Sequence, residues 1–99
     1  MPDVTGKKTE FKTALLQAAA EARSAGEIDR GDYLRIWFVA TFRPRALAQV
    51  QATVVHEAVS AGLMPPSANP EAFDWSALLA FIQALLPIIL QIISIFGGL

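Results

Sequence analysis

The chain has 99 residues, no cysteine and a net charge of −1, so it makes one small domain at most, without disulfides or thiolate chemistry. Hydrophobic residues are 54% and charged residues 17% of the chain, against roughly 25% charged in an ordinary soluble domain, which shifts the balance toward a membrane or a permanent protein interface. Acids are interleaved with the bases, and this argues against a nucleic-acid partner, whose phosphates need a basic face.

Charge is unevenly placed along the chain. All eight Lys and Arg lie before position 46 beside six acids, while residues 46 to 99 hold only Glu57, Glu71 and Asp74. Residues 1–8 are polar, contain Pro2 and Gly6, and read as a flexible arm; they carry no apolar run of the kind a secretory signal peptide needs. From Thr9, a candidate N-cap, the residues Phe11, Leu15, Ala18, Ala22 and Ala25 recur at helical spacing. Gly26 stands where a left-handed cap residue is expected, so the first helix is placed at about 10–25.

The second helix is announced by Asp29 as cap, Asp32 three residues on, and Ile28 positioned to staple onto Tyr33. Its body, residues 33–42, is rich in aromatic and β-branched side chains, so a strand competes by propensity, and the specific cap decides for helix. Trp37 and Phe38 are expected as core anchors, because a small helical domain needs large residues inside. Pro44 either starts a third helix or kinks a longer one. Leu47, Val50, Val54, Ala58 and Ala61 then recur at helical spacing, and Gly62 with Pro65-Pro66 stops the run. Residues 63–74 read as a stiff proline-rich linker between two regions of different solvent preference.

The last segment is the most apolar. Asp74 is placed to cap one helix from Trp75 to Phe96, whose 22 residues reach roughly 33 Å at about 1.5 Å each, against a hydrocarbon core of about 30 Å. Thirteen of those residues are Leu, Ile or Phe, and Trp75 at its mouth suits a membrane-interface anchor. At 100° per residue, Ser76, Ala80, Gln83, Pro87, Gln91 and Ser94 share an arc of about 80°, the kind of stripe on which helices meet in a bilayer. This stripe is the expected helix–helix interface, with self-association into a homo-oligomer, and Pro87 is expected to bend the helix near Gln83 to Pro87.

Chemistry is sparse. His56 has no second histidine at zinc-protease spacing, Asp29 and Asp32 are explained by helix capping, no glycine-rich phosphate loop exists, and no serine has an assignable basic partner. The expectation is therefore no enzyme, no catalytic, metal-binding or cofactor-binding residue, no cofactor, and no small-molecule substrate. Arg43-Pro44-Arg45 with Arg35 is the one basic cluster, a candidate contact for anionic lipid head groups or a phosphate backbone, with a solvated turn as the plainer reading.

The expected architecture is all-α: a flexible arm (1–8), a small three-helix headpiece (9–62), a proline-rich joint (63–74) and a long apolar C-terminal helix (75–96), either transmembrane or an assembly helix. Three functions fit. One is a non-catalytic structural protein, tail-anchored in a membrane as a single-pass subunit of a larger complex, with its N-terminal part cytoplasmic. A second is a structural subunit of a soluble or viral assembly, such as a virion component, whose apolar helix packs between subunits. A third is a small pore-forming protein with Gln83, Gln91 and Ser94 lining a helix bundle. The partners are accordingly a lipid bilayer or neighbouring protein subunits.

Overall fold

A computed structural model describes residues 9–96; the arm at 1–8 and residues 97–99 lie outside the described residues. The fold is all-α, with five α-helices and one 3-10 turn among the described residues.

Helix α1, Phe11–Ser24, buries Phe11, Ala14, Leu15, Ala18, Ala19 and Ala22. A broad alanine stripe such as this lets neighbouring backbones come close, and both α2 and α4 lie against it. Its end is set by Gly26 at φ +79, with the Gly26 N–H donating to the Arg23 carbonyl and the Glu27 N–H to the Ala22 carbonyl at 2.8 Å. This double bond pattern satisfies carbonyls that the helix end would leave open. Thr9 does not act as the N-cap: Glu10 occupies that position without a side-chain bond. Thr9 instead ties the chain to a distant segment, its N–H donating to Asp74 Oδ1 and its carbonyl accepting from the Trp75 N–H at 3.0 Å.

Helix α2, Arg30–Phe42, starts as its cap requires, the Asp32 N–H donating to Asp29 Oδ1 at 2.8 Å. The cap outweighs the strand propensity of the body. Only Ile36, Val39 and Ala40 are buried from this helix. Trp37 and Phe38, expected as core anchors, are 41% exposed and half-buried respectively. The reason is angular: one narrow side of α2 faces the interior, and Trp37 sits about 100° around the axis from Ile36.

Helix α3, Pro44–Ser60, follows after the single residue Arg43, with Pro44 in its first turn, where a missing N–H costs nothing. Ala46, Val50, Val54 and Ala58 are its buried face. Residues 63–74 do not hold two regions apart. Met64 is buried, the Trp75 indole N–H donates to the Pro70 carbonyl at 3.0 Å, and the Phe73 ring stands 5.1 Å from that of Trp75. The prolines shape a return loop that brings the chain back to the start of α1.

The long C-terminal helix is likewise corrected. Trp75–Leu78 is a 3-10 turn, α4 spans Leu79–Ala84, α5 spans Leu86–Phe96, and the two arms meet at 84°. Among the described residues no single helix is long and apolar enough to cross a membrane; only the bent pair taken together meets the requirement, by length and composition alone. Pro87 explains the break, because it has no N–H for the Gln83 carbonyl and its ring crowds the preceding turn. The Leu85 N–H is shared between the Phe81 and Ile82 carbonyls, and the ladder restarts with the Ile89 N–H donating to Leu85 at 2.9 Å. The bend thus falls inside the Gln83 to Pro87 stretch, but it is a corner rather than a curve.

Turning the corner lets α4 cover α1 while α5 covers α3 and α2. Trp75, Leu78, Ile82, Leu86, Ile89 and Ile93 enter the same core as the buried faces of α1, α2 and α3, and no polar or charged side chain is buried among the described residues. The apolar segment is the interior of the domain.

Candidate interaction surface

The burial pattern of the last segment assigns each sequence-derived site residue a place. Positions 75, 78, 82, 86, 89 and 93 advance by three or four and point inward. The stripe expected as a helix–helix interface lies on the other side: Ser76, Ala80, Pro87, Gln91 and Ser94 are exposed and Gln83 is half-buried. Its polar members bond locally or across the surface, with the Ser76 hydroxyl donating to Asp74 Oδ1 at 2.7 Å and Gln83 Nε2 donating to Glu27 Oε1 at 3.4 Å. The Ser94 hydroxyl accepts from Arg35 Nη2 at 2.6 Å. Within this fold the stripe is the outer side of an amphipathic segment.

Trp75 is fully buried. Its indole meets the Phe11 ring edge-on at 4.9 Å, and its single N–H is satisfied by the Pro70 carbonyl, as a buried tryptophan requires. It anchors the core where the return loop, α1 and the 3-10 turn meet.

A different surface collects several of the large side chains that the core leaves out. Leu34 (46% exposed), Trp37, Phe42 (57%) and Phe96 (57%) all stand outside the core. Leu34, Trp37 and Phe38 lie three and four residues apart on the outer side of α2, and with Arg35 they line one shallow hollow. The Trp37 ring meets Phe42 edge-on at 5.8 Å, and Phe38 lies 5.2 Å from Phe42. A second hollow continues around the α2–α3 corner, lined by Phe42, Arg43, Pro44, Arg45, Ala46 and, from the end of α5, Phe96.

The three arginines singled out from sequence all fall on this surface. The Arg43 guanidinium lies over the Phe38 ring, 5.6 Å from its centroid, a cation–π arrangement. Arg35 stands 4.0 Å from Asp32 while reaching Ser94. Neither Arg43 nor Arg45 is in an ion pair among the described residues. The residues lining the two hollows therefore include three arginines and no carboxylate.

The arginines of this surface are legible in the sequence and its aromatic half is not, because Trp37 and Phe38 read as core residues there and stand 41% exposed and half-buried. The overlooked signal is the triad Ile36, Val39 and Ala40, which already supplies a complete inward side at helical spacing and leaves the aromatics outside it. Chemically the surface offers apolar contact, cation–π stacking and two guanidinium groups, of Arg43 and Arg45, without an ion-pair partner among the described residues. Among the described residues no three His, Cys, Asp or Glu side chains converge as metal ligands do, and His56 is exposed. Comparison of the chain with protein-family models, with curated proteins and with solved structures gives no match.

Proposed function

We propose that this chain is a non-catalytic structural module that attaches to a larger assembly through the aromatic–arginine surface of α2, the α2–α3 corner and the end of α5. The observation that carries this reading is the exposure of Trp37, Phe42 and Phe96 beside Arg35, Arg43 and Arg45. Interface cores are enriched in aromatic residues and arginine, and the residues that dominate binding energy are drawn from the same types. The domain has an apolar interior with the C-terminal segment inside it, so this surface can be occupied without unpacking the fold.

The test is fractionation and sizing of the full chain against the double variant Trp37→Gln with Phe42→Ser. The unaltered chain is expected in a membrane fraction or a particle larger than one copy, and the variant as a folded monomer. A wild-type chain that behaves as a lone monomer in every fraction overturns the reading.

A second reading keeps the C-terminal segment as a membrane anchor, supported by the combined length and composition of the bent pair Trp75–Ala84 and Leu86–Phe96. It requires the segment to leave the core and straighten. Resistance of the membrane-bound protein to alkaline carbonate, retained in the double variant, is its expected signature.

A further inference from the structure

Resting on the attachment surface just described, we propose that its occupant is an anionic lipid surface, on which the domain lies without any segment crossing the bilayer. Three observations select lipid. The first is charge: the hollows are lined by Arg35, Arg43 and Arg45 with no carboxylate, and, while Arg35 has Asp32 at 4.0 Å, Arg43 and Arg45 have no ion-pair partner among the described residues. Anionic head groups supply the complementary charge, and a juxtaposed arginine gains from a negative leaflet within a Debye length. A second copy of the chain docking on the same patch would set like charges against one another, since a twofold contact pairs the same residues.

The second observation is the kind of apolar group. Trp37 is 41% exposed and its amphipathic indole is of the type that settles at the level of lipid head groups, while Phe42 and Phe96, each 57% exposed, add the apolar area that an interfacial element buries in the acyl boundary. The third is their arrangement. Leu34, Trp37 and Phe38 form one side of α2, and Phe42 and Phe96 extend it at the corner, with the arginines beside them. An apolar side bordered by cations is how an interfacial helix lies in the plane of a membrane, its long basic stems reaching back to the phosphates.

The experiment uses the full chain with sedimenting vesicles of phosphatidylcholine alone and of phosphatidylcholine mixed equally with phosphatidylglycerol. Binding is expected on the anionic vesicles, falling as salt is raised, with a blue shift in tryptophan emission. That shift is expected to vanish in Trp37→Phe, because Trp75 is already fully buried. Arg43→Gln with Arg45→Gln, both exposed positions, is expected to weaken partitioning roughly tenfold or more. Far-UV circular dichroism of each variant confirms that it is folded.

Failure to bind anionic vesicles overturns the lipid assignment. If sizing then shows an oligomer that Trp37→Gln with Phe42→Ser dissociates, the attachment surface stands and its occupant is protein. Vesicle binding unaffected by both the arginine pair and the aromatic pair also overturns the proposal, since another part of the chain would then hold the lipid.

Discussion

Three isoleucines on one helix separate core packing from mere greasiness. Ile89 is fully buried, Ile88 is 42% exposed and Ile95 is 73% exposed, all within α5. The side chains are identical, so truncating each to alanine removes the same atoms from three environments. At Ile89 the loss combines transfer of the removed groups with the cavity left behind, about 2–5 kcal/mol. At Ile95 the change is expected to stay within about 0.5 kcal/mol, as at other surface positions, helped by the better helix propensity of alanine. Ile88 should fall between them. A domain of this size has a total stability on the order of 5–15 kcal/mol, so the Ile89 variant loses a large share of it. Urea unfolding followed by far-UV circular dichroism reads the series directly. With a slope of about 1–3 kcal/mol per molar urea, the Ile89 midpoint should drop by roughly 1 M or more while that of Ile95 barely moves. Equal losses at all three positions, or the largest loss at Ile95, would refute the packing of α5 against α2 and α3.

Other perturbations test neighbouring parts of the argument. Ending the chain after Asp74 removes Trp75, Leu78, Ile82, Leu86, Ile89 and Ile93 from the core; at about 1.5–3 kcal/mol each this is as large as the whole stability of a small domain, about 5–15 kcal/mol. The remaining fragment should therefore show no cooperative melt, and a sharp one would establish an independent headpiece. Replacing Asp29 with alanine deletes the carboxylate that holds the Asp32 N–H and should cost about 1 kcal/mol in the same urea assay. Gln83→Leu with Gln91→Leu alters the outer stripe only, so stability should stay within about 0.5 kcal/mol; a change in oligomer size on a sizing column would restore that stripe as an interface.

Much of the architecture can be read from local signals that do not depend on the rest of the chain. Asp29, Gly26, Pro44 and Gly62 each satisfy or forbid specific backbone hydrogen bonds, and the end of α1, both ends of α2 and both ends of α3 fall where those residues place them, whereas the start of α1 does not follow its expected cap, Thr9. What cannot be read this way is which of two apolar surfaces goes inside. Residues 33–42 and 75–96 both offer large side chains, and periodicity gives the direction of a face without naming its partner. Pro87 marks the break, yet the 84° turn that sends α4 to α1 and α5 to α3 comes from long-range packing. The same holds for Ser76, Ala80, Gln83, Pro87, Gln91 and Ser94: their common side is plain in sequence, but whether it meets lipid, a helix or water depends on what covers the opposite side.

Limited interior space connects the corner at Leu85 to the aromatic surface. A chain of 99 residues that is 54% hydrophobic has more apolar side chain than so small a core can enclose. By folding back, the C-terminal segment fills that core with slim aliphatic side chains and one indole, which interleave closely with the alanines of α1. With Ile82, Leu86, Ile89 and Ile93 in the interior and only the narrow side of α2 turned inward, Trp37 and Phe42 stand outside. If the C-terminal segment left the bundle, the cavity beside α1 and α3 would be open to those rings, and the surface would lose its aromatic half. On this reasoning a membrane-spanning tail and an intact aromatic–arginine surface are expected to exclude one another. Trp37 is protected in lipid in either state, so a chain in lipid whose Trp75 has left the core would mark the other one.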